Sequence, residues 1–196
     1  MKTRSIILSV ATLAALGGFA ATLQAANLPT IKVLATGGTI AGAQASATDY
    51  GYKSGAYDVN SLLSAVPNLD KLAVITGEQV ANIGSQDMND EVWLKLAKRV
   101  NAVLAEPGTN GVLITHGTDT LEETCFFLSH TLPHSTKPLI FTCAMRPASH
   151  PQPDGPQNLR DALLLAQQPQ AAGRGALVVC GGEVHAGSAL EKVHSS

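Results

Sequence analysis

Apolar residues along the chain fall into two kinds of run. Short, continuous, β-rich runs occur at Ile31–Ala35, Gly111–Thr115, Pro138–Cys143 and Ala176–Cys180. Such runs suit strands buried on both faces. Between them lie segments with helical spacing. The clearest is 89–105, where Val92, Leu96, Val100, Val103 and Leu104 share one face. Asp90 and Glu91 favour its first turn, and Pro107-Gly108 marks its end. Further helices are predicted over 59–66 (stopped by Pro67), 119–130 and 157–166. Leu72–Ile75 and Val80–Ile83 read as two short strands. Residues 42–57 are small, polar and aperiodic, and read as a loop, as does the proline-rich stretch 147–156. Strands alternating with helices predict an α/β fold, a three-layer α/β/α arrangement around a mostly parallel sheet.

Composition narrows the class. The chain has 196 residues, 45% hydrophobic and 14% charged, enough to bury a core. Its formal net charge of -2 and its lack of a basic cluster past the first residues argue against a nucleic-acid partner. Lys2 and Arg4 precede a small or apolar run from Ser5 to Ala21, and Leu23-Gln24-Ala25-Ala26 offers a signal-peptidase site. Residues 1–26 therefore read as a signal peptide, with residues 27–196 exported to the periplasm or cell exterior and no membrane association after cleavage. A membrane anchor is the competing reading, but the apolar run is short and carries Gly17-Gly18. Of the three cysteines, none has redox or zinc-like spacing, so Cys125, Cys143 and Cys180 read as buried thiols. His130 and His134 flank Pro133 and no Glu follows His130, so a metal-binding helix, and with it a metallo-hydrolase, is disfavoured.

Candidate chemistry gathers after the strands, where open parallel sheets bind ligands. Four segments stand there: Gly37-Gly38-Thr39, Gly84-Ser85-Gln86-Asp87, His116-Gly117-Thr118-Asp119 and Ala144-Met145-Arg146-Pro147. Three bring hydroxyls, and two of those bring a carboxylate. Two glycines before Thr39 allow a tight turn. At the start of a helix its hydroxyl would sit among free N–H groups that stabilise an oxyanion. An ordinary capping role competes for Thr39, and likewise for Thr118 and Asp119 ahead of the next helix. The histidines His116, His150 and His185 read as loop or core residues.

Two long segments, Ala35-Thr36-Gly37-Gly38-Thr39-Ile40-Ala41-Gly42 and Ile114-Thr115-His116-Gly117-Thr118-Asp119-Thr120-Leu121-Glu122-Glu123-Thr124, resemble the signatures of the bacterial type II (periplasmic) L-asparaginases and glutaminase-asparaginases. Gly77-Glu78-Gln79, Ala81 through Met88, Ala144 through Pro147, and Asp154-Gly155-Pro156 with Asn158-Leu159 resemble them too. The resemblance implies hydrolysis of the side-chain amide of L-asparagine, and of L-glutamine, through a threonine acyl-enzyme, with no metal or other cofactor. It implies that Thr39 is the nucleophile, with Tyr52 near it on a loop. Thr118, Asp119 and Lys192 would form a proton-handling group. Ser85, Gln86 and Asp119 would hold the substrate's α-carboxylate and α-amino groups. The stretch Gly181–Leu190 departs from the family pattern around Lys192. Members of the family continue into a smaller second α/β domain, assemble as homotetramers, and complete each site with residues of a neighbouring subunit. Ser196 falls just after Lys192. The expectation is thus an N-terminal catalytic domain truncated near its C-terminal end, with low activity alone. The alternative is a remnant that grips acidic amino acids without turnover.

Overall fold

The computed structural model describes residues 28–46, 51–133 and 135–194. The expected signal peptide lies outside them. Strand β1 (Thr30–Gly37) is the axis of the fold. It pairs in parallel with β4 (Val74–Ile83) on one side and β5 (Gly111–Thr115) on the other. Beyond β5 come β6 (Leu139–Thr142), β7 (Ala176–Cys180) and β8 (Glu183–Ala186), giving the order β4-β1-β5-β6-β7-β8. Within this six-stranded sheet all pairings are parallel except β7 with β8, which turn back on each other through Gly181-Gly182.

Period-two alternation divides the strand side chains between two cores. Ile31, Val33, Leu113 and Ile140 face α1 (Val59–Ser64) and α4 (Gly155–Ala166), packing with Val59, Leu159 and Leu163. Leu34, Val112, Ile114, Phe141 and Val178 face α2 (Asp90–Ala105) and α3 (Leu121–Thr131), packing with Leu96, Val100 and Leu128. The three-layer α/β/α arrangement read from the sequence is the observed one. Helix α2 begins where the sequence predicts: the Asn89 side chain caps it, accepting from the N–H groups of Glu91 and Val92 at 3.1 and 3.2 Å. Among the described residues no helix is long and apolar enough to cross a membrane.

Three elements differ from expectation. The two short strands predicted over 72–83 are one ten-residue strand, β4, paired with β1 from Thr30↔Val74 to Gly37↔Ile83. It is an edge strand, half open to solvent, so Thr76 and Glu78 interrupt its apolar pattern without ending it. Glu78 instead holds Arg99 of α2 through contacts of 2.7 and 2.8 Å to Nε. That guanidinium, by its hydrogen bonds, lowers the Glu78 carboxyl below the usual carboxylate range. Second, the predicted loop 42–57 contains a small antiparallel hairpin, β2 (Ala43–Gln44) with β3 (Tyr52–Lys53). Third, β8 has three exposed residues of four and no apolar period, so its strand character comes from pairing with β7.

Candidate active site

The ends of β4, β1 and β5 meet backbone to backbone. Gly37 and Gly38 both have positive φ, 105° and 77°. A Cβ on Gly37 would lie 2.4 Å from the Ile83 carbonyl oxygen, and one on Gly38 would lie 2.3 Å from Gly117 Cα. Only residues without a side chain fit, because the three turns touch here. The contact delivers Thr39, Ser85 and Thr118 to neighbouring positions at the carboxyl edge of the sheet, as the sequence predicts for adjacent strands.

Thr39 does not begin an α-helix. It opens a single 3-10 turn, Thr39–Ala41, closed by the Gly42 N–H donating to the Thr39 carbonyl at 2.8 Å. The expected helix-terminus field is therefore absent, because the chain leaves this turn at once into β2. The Thr39 side chain is buried, and its Oγ1 lies 2.6 Å from Tyr52 Oη. Tyr52 arrives on β3, 41% exposed. Its ring packs on the backbone of Gly42, where a Cβ would stand 2.7 Å from Cδ2.

Thr118 and Asp119 do not cap α3. The N-cap position is Thr120, which makes no side-chain capping bond. Both face Lys192, whose Nζ donates to Thr118 Oγ1 at 2.8 Å and meets Asp119 Oδ1 at 2.5 Å. Lys192 is carried there by the segment after β8. A 3-10 turn, Gly187–Ala189, docks that segment on α3, and the Lys192 N–H donates to Glu122 Oε2 at 2.8 Å. With 27% and 53% of the two side chains exposed, the Lys192–Asp119 ion pair contributes only about 0–1 kcal/mol to stability. Its effect is to hold the amine against the Thr118 hydroxyl.

Ser85 stands in a 3-10 turn after β4, buried against the β5 turn. Its Oγ accepts from the Asp119 N–H at 3.0 Å, and its carbonyl accepts from Thr120 Oγ1 at 2.8 Å. The Ser85 hydroxyl proton remains uncommitted, so it can be donated to a carboxylate. Gln86 is exposed, and its amide donates to Asp87 Oδ2 at 3.2 Å. No hydrogen bond joins it to another predicted site residue.

Sequence reasoning missed several supports. His116 is fully buried beneath the Thr118 turn. Its Nδ1–H donates to the Gly117 carbonyl at 2.7 Å, which leaves Nε2 as an acceptor facing Thr124 Oγ1 at 3.1 Å. The Trp93 indole N–H donates to that same hydroxyl at 2.8 Å. Burial pushes the His116 pKa down to about 4, so the ring is neutral. Asp154 accepts from the Met145 and Arg146 N–H groups at 3.0 and 2.8 Å, which ties the Ala144–Pro147 turn to the start of α4. The Trp93–Thr124 bond has no local sequence signal, since it joins residues on different helices. A cavity of about 400 Å³ opens beside Lys192, lined by Thr118, Leu121, Cys143, Met145, Cys180 and Lys192 among others. Thr39, Tyr52 and Ser85 do not line it.

A buried threonine against a tyrosine, and a lysine held on a second threonine and an aspartate, thus gather at the carboxyl edge of a mostly parallel sheet in an α/β domain. The family described as Asparaginase, N-terminal, matches residues 30–196, and the chain belongs to it. A probable periplasmic L-asparaginase of Haemophilus influenzae is 50% identical over 161 residues, covering 82% of this chain and 45% of that protein. A glutaminase-asparaginase of Acinetobacter glutaminasificans is 41% identical over 163 residues, covering 83% and 49%. Among solved structures, a probable cytoplasmic L-asparaginase of Campylobacter jejuni superposes with a TM-score of 0.82 at 44% identity, covering 85% of this chain and 51% of that one. The chain spans about half the length of the curated relatives it matches.

Proposed function

We propose that this chain carries the nucleophilic half of an amidohydrolase that cleaves the side-chain amide of L-asparagine, and of L-glutamine, to the acid and ammonia through a threonine acyl-enzyme. The observation that carries the reading is the contact of Lys192 Nζ with both Thr118 Oγ1 and Asp119 Oδ1, beside the Gly38–Gly117 contact that brings in Thr39. A hydroxyl nucleophile needs a partner to take its proton. In the proposed sequence Thr39 Oγ1 attacks the amide carbon, and its proton is relayed by Tyr52 Oη, hydroxyl to hydroxyl, to the amide nitrogen that leaves as ammonia. The Thr118–Lys192–Asp119 group supplies a proton to the departing ammonia. Water, deprotonated by the same group, then cleaves the ester and restores Thr39. Ser85 Oγ and the free oxygen of Asp119 serve the α-carboxylate and α-ammonium of the substrate, with Gln86 closing over them from the exposed side.

The family's larger assembly, a second domain and a homotetramer with sites shared between subunits, is proposed for the protein in its active form. Lys2, Arg4 and the run Ser5–Ala21 support export to the periplasm with cleavage near Ala25 or Ala26. N-terminal sequencing of the secreted protein checks the cleavage point.

The deciding experiment measures ammonia release from L-asparagine and L-glutamine by the purified protein beside Thr39→Ala. Turnover that falls at least about 10³-fold in the variant, with folding unchanged, supports the nucleophile. Binding of aspartate with no ammonia from the folded protein replaces the reading with that of an amino-acid-gripping remnant.

A further inference from the structure

Two of the three cysteines form a pair that the proposed reaction does not use. Cys143 follows β6, and Cys180 ends β7. These strands pair in parallel in register through Thr142↔Val179. One residue further on, Cys143 and Cys180 stand opposite each other and pack on the same side of the sheet, against the core shared with α2 and α3. Neighbouring strands run about 4.8 Å apart, within the Cα spacing that a disulfide spans. Cys143 is 2% exposed, Cys180 is half-buried, and both line the cavity of about 400 Å³ beside Lys192. One side chain grips both: Asn158 Nδ2 donates to the Cys143 carbonyl at 3.0 Å and reaches Cys180 Sγ at 3.8 Å, while its Oδ1 accepts the Gly181 N–H at 3.1 Å. Cys125, on α3, is fully buried in the same core as Cys143 but does not line this cavity.

We propose that Cys180 and Cys143 are a redox-active dithiol in the cavity wall, in which Cys180 attacks a low-molecular-weight disulfide such as glutathione disulfide and Cys143 resolves it into an intrachain disulfide. The Cys180 thiolate attacks one sulfur of the oxidant, whose S–S bond breaks and releases one small thiolate. Cys143 gives its proton to that thiolate and attacks the Cys180 sulfur, and the second small thiol leaves. Two protein thiols lose two electrons, and one small disulfide becomes two thiols. The order follows the asymmetry of the pair: Cys180 is the more exposed thiol and its neighbour Cys143 lowers it, whereas Cys180 and burial raise Cys143. The bridge would tie the ends of β6 and β7 next to the Gly181-Gly182 turn from which β8 and Lys192 are hung.

The test is exposure of the folded protein to glutathione disulfide at neutral pH, quenching with a thiol alkylator, and peptide mapping without reduction. The expected product is a Cys143–Cys180 linked peptide with Cys125 alkylated only after unfolding. Cys143→Ser is expected to trap one glutathione on Cys180, and Cys180→Ser to leave Cys143 unmodified under the same exposure. Recovery of three free thiols in the treated wild-type protein overturns the proposal. So does glutathione attached to Cys125 as fast as to Cys180, or to Cys143 in Cys180→Ser at the wild-type rate. Because the readout is a covalent mass, it stands apart from whether the protein hydrolyses an amide.

Discussion

The two threonine groups of the site are held by different means. Thr39 is placed by backbone contact: Gly37 and Gly38 press on Ile83 and Gly117 so closely that no side chain fits, and one hydroxyl contact with Tyr52 completes the setting. Thr118 is placed by its strand, but its partner Lys192 comes from 74 residues further along the chain, tied by an ion pair and one bond to Glu122. The first group is rigid by exclusion of volume. The second is adjustable, because half-exposed charged contacts hold it. A nucleophile needs fixed geometry, whereas a group that passes protons tolerates motion. The division of construction matches the roles proposed for them.

Breaking the rigid side should cost most. Gly38→Ala puts a Cβ into Gly117 at positive φ, and is expected to destabilise the fold by about 3 kcal/mol and to remove turnover with it, as read by urea unfolding and ammonia release. Breaking the adjustable side should separate the two readouts. Lys192→Met is expected to lower turnover by about 10²- to 10⁴-fold while stability changes by less than about 1 kcal/mol, since the ion pair is exposed.

Acid should loosen the turn beneath Thr118 before it touches Thr39. The His116 pKa falls from 6.5 in the unfolded chain to about 4 in the fold. The unfolded chain thus binds the extra proton between those values, and stability falls as pH drops through that window. The full effect is about 3 kcal/mol, present above pH 6.5 and lost by pH 4. Unfolding at stepped pH should show this slope, and His116→Gln should flatten it. The smallest change is expected from Tyr52→Phe. The ring still covers Gly42, so stability should move by less than about 1 kcal/mol. Turnover should fall by about tenfold or more, through loss of the hydroxyl at Thr39.

Much of this architecture was legible in the residues. The buried strands β5 and β7 carry unbroken apolar runs, and α2 carries both its stripe and its acidic first turn, because burial on a regular element imposes a period on the sequence. The strand-end rule was enough to bring Thr39, Ser85 and Thr118 together once β4, β1 and β5 were neighbours. The edge strand β4 was misread as two, since Glu78 satisfies itself on Arg99, a residue of another element. Strand β8 and the β2–β3 hairpin were invisible because nothing buries them deeply enough to leave a pattern.

The sequence by itself therefore determined the layered sheet and the hydroxyls at its edge, since both follow from local periodicity and from glycines that only a tight turn requires. Tertiary structure alone decided what those groups touch. That Asp119 and Thr118 meet Lys192 instead of capping a helix, a grouping that only the family resemblance had implied, and that Cys143 and Cys180 share one wall depend on contacts between distant segments. A contact of that kind leaves no period in either segment, because its geometry is set by the packing of whole elements.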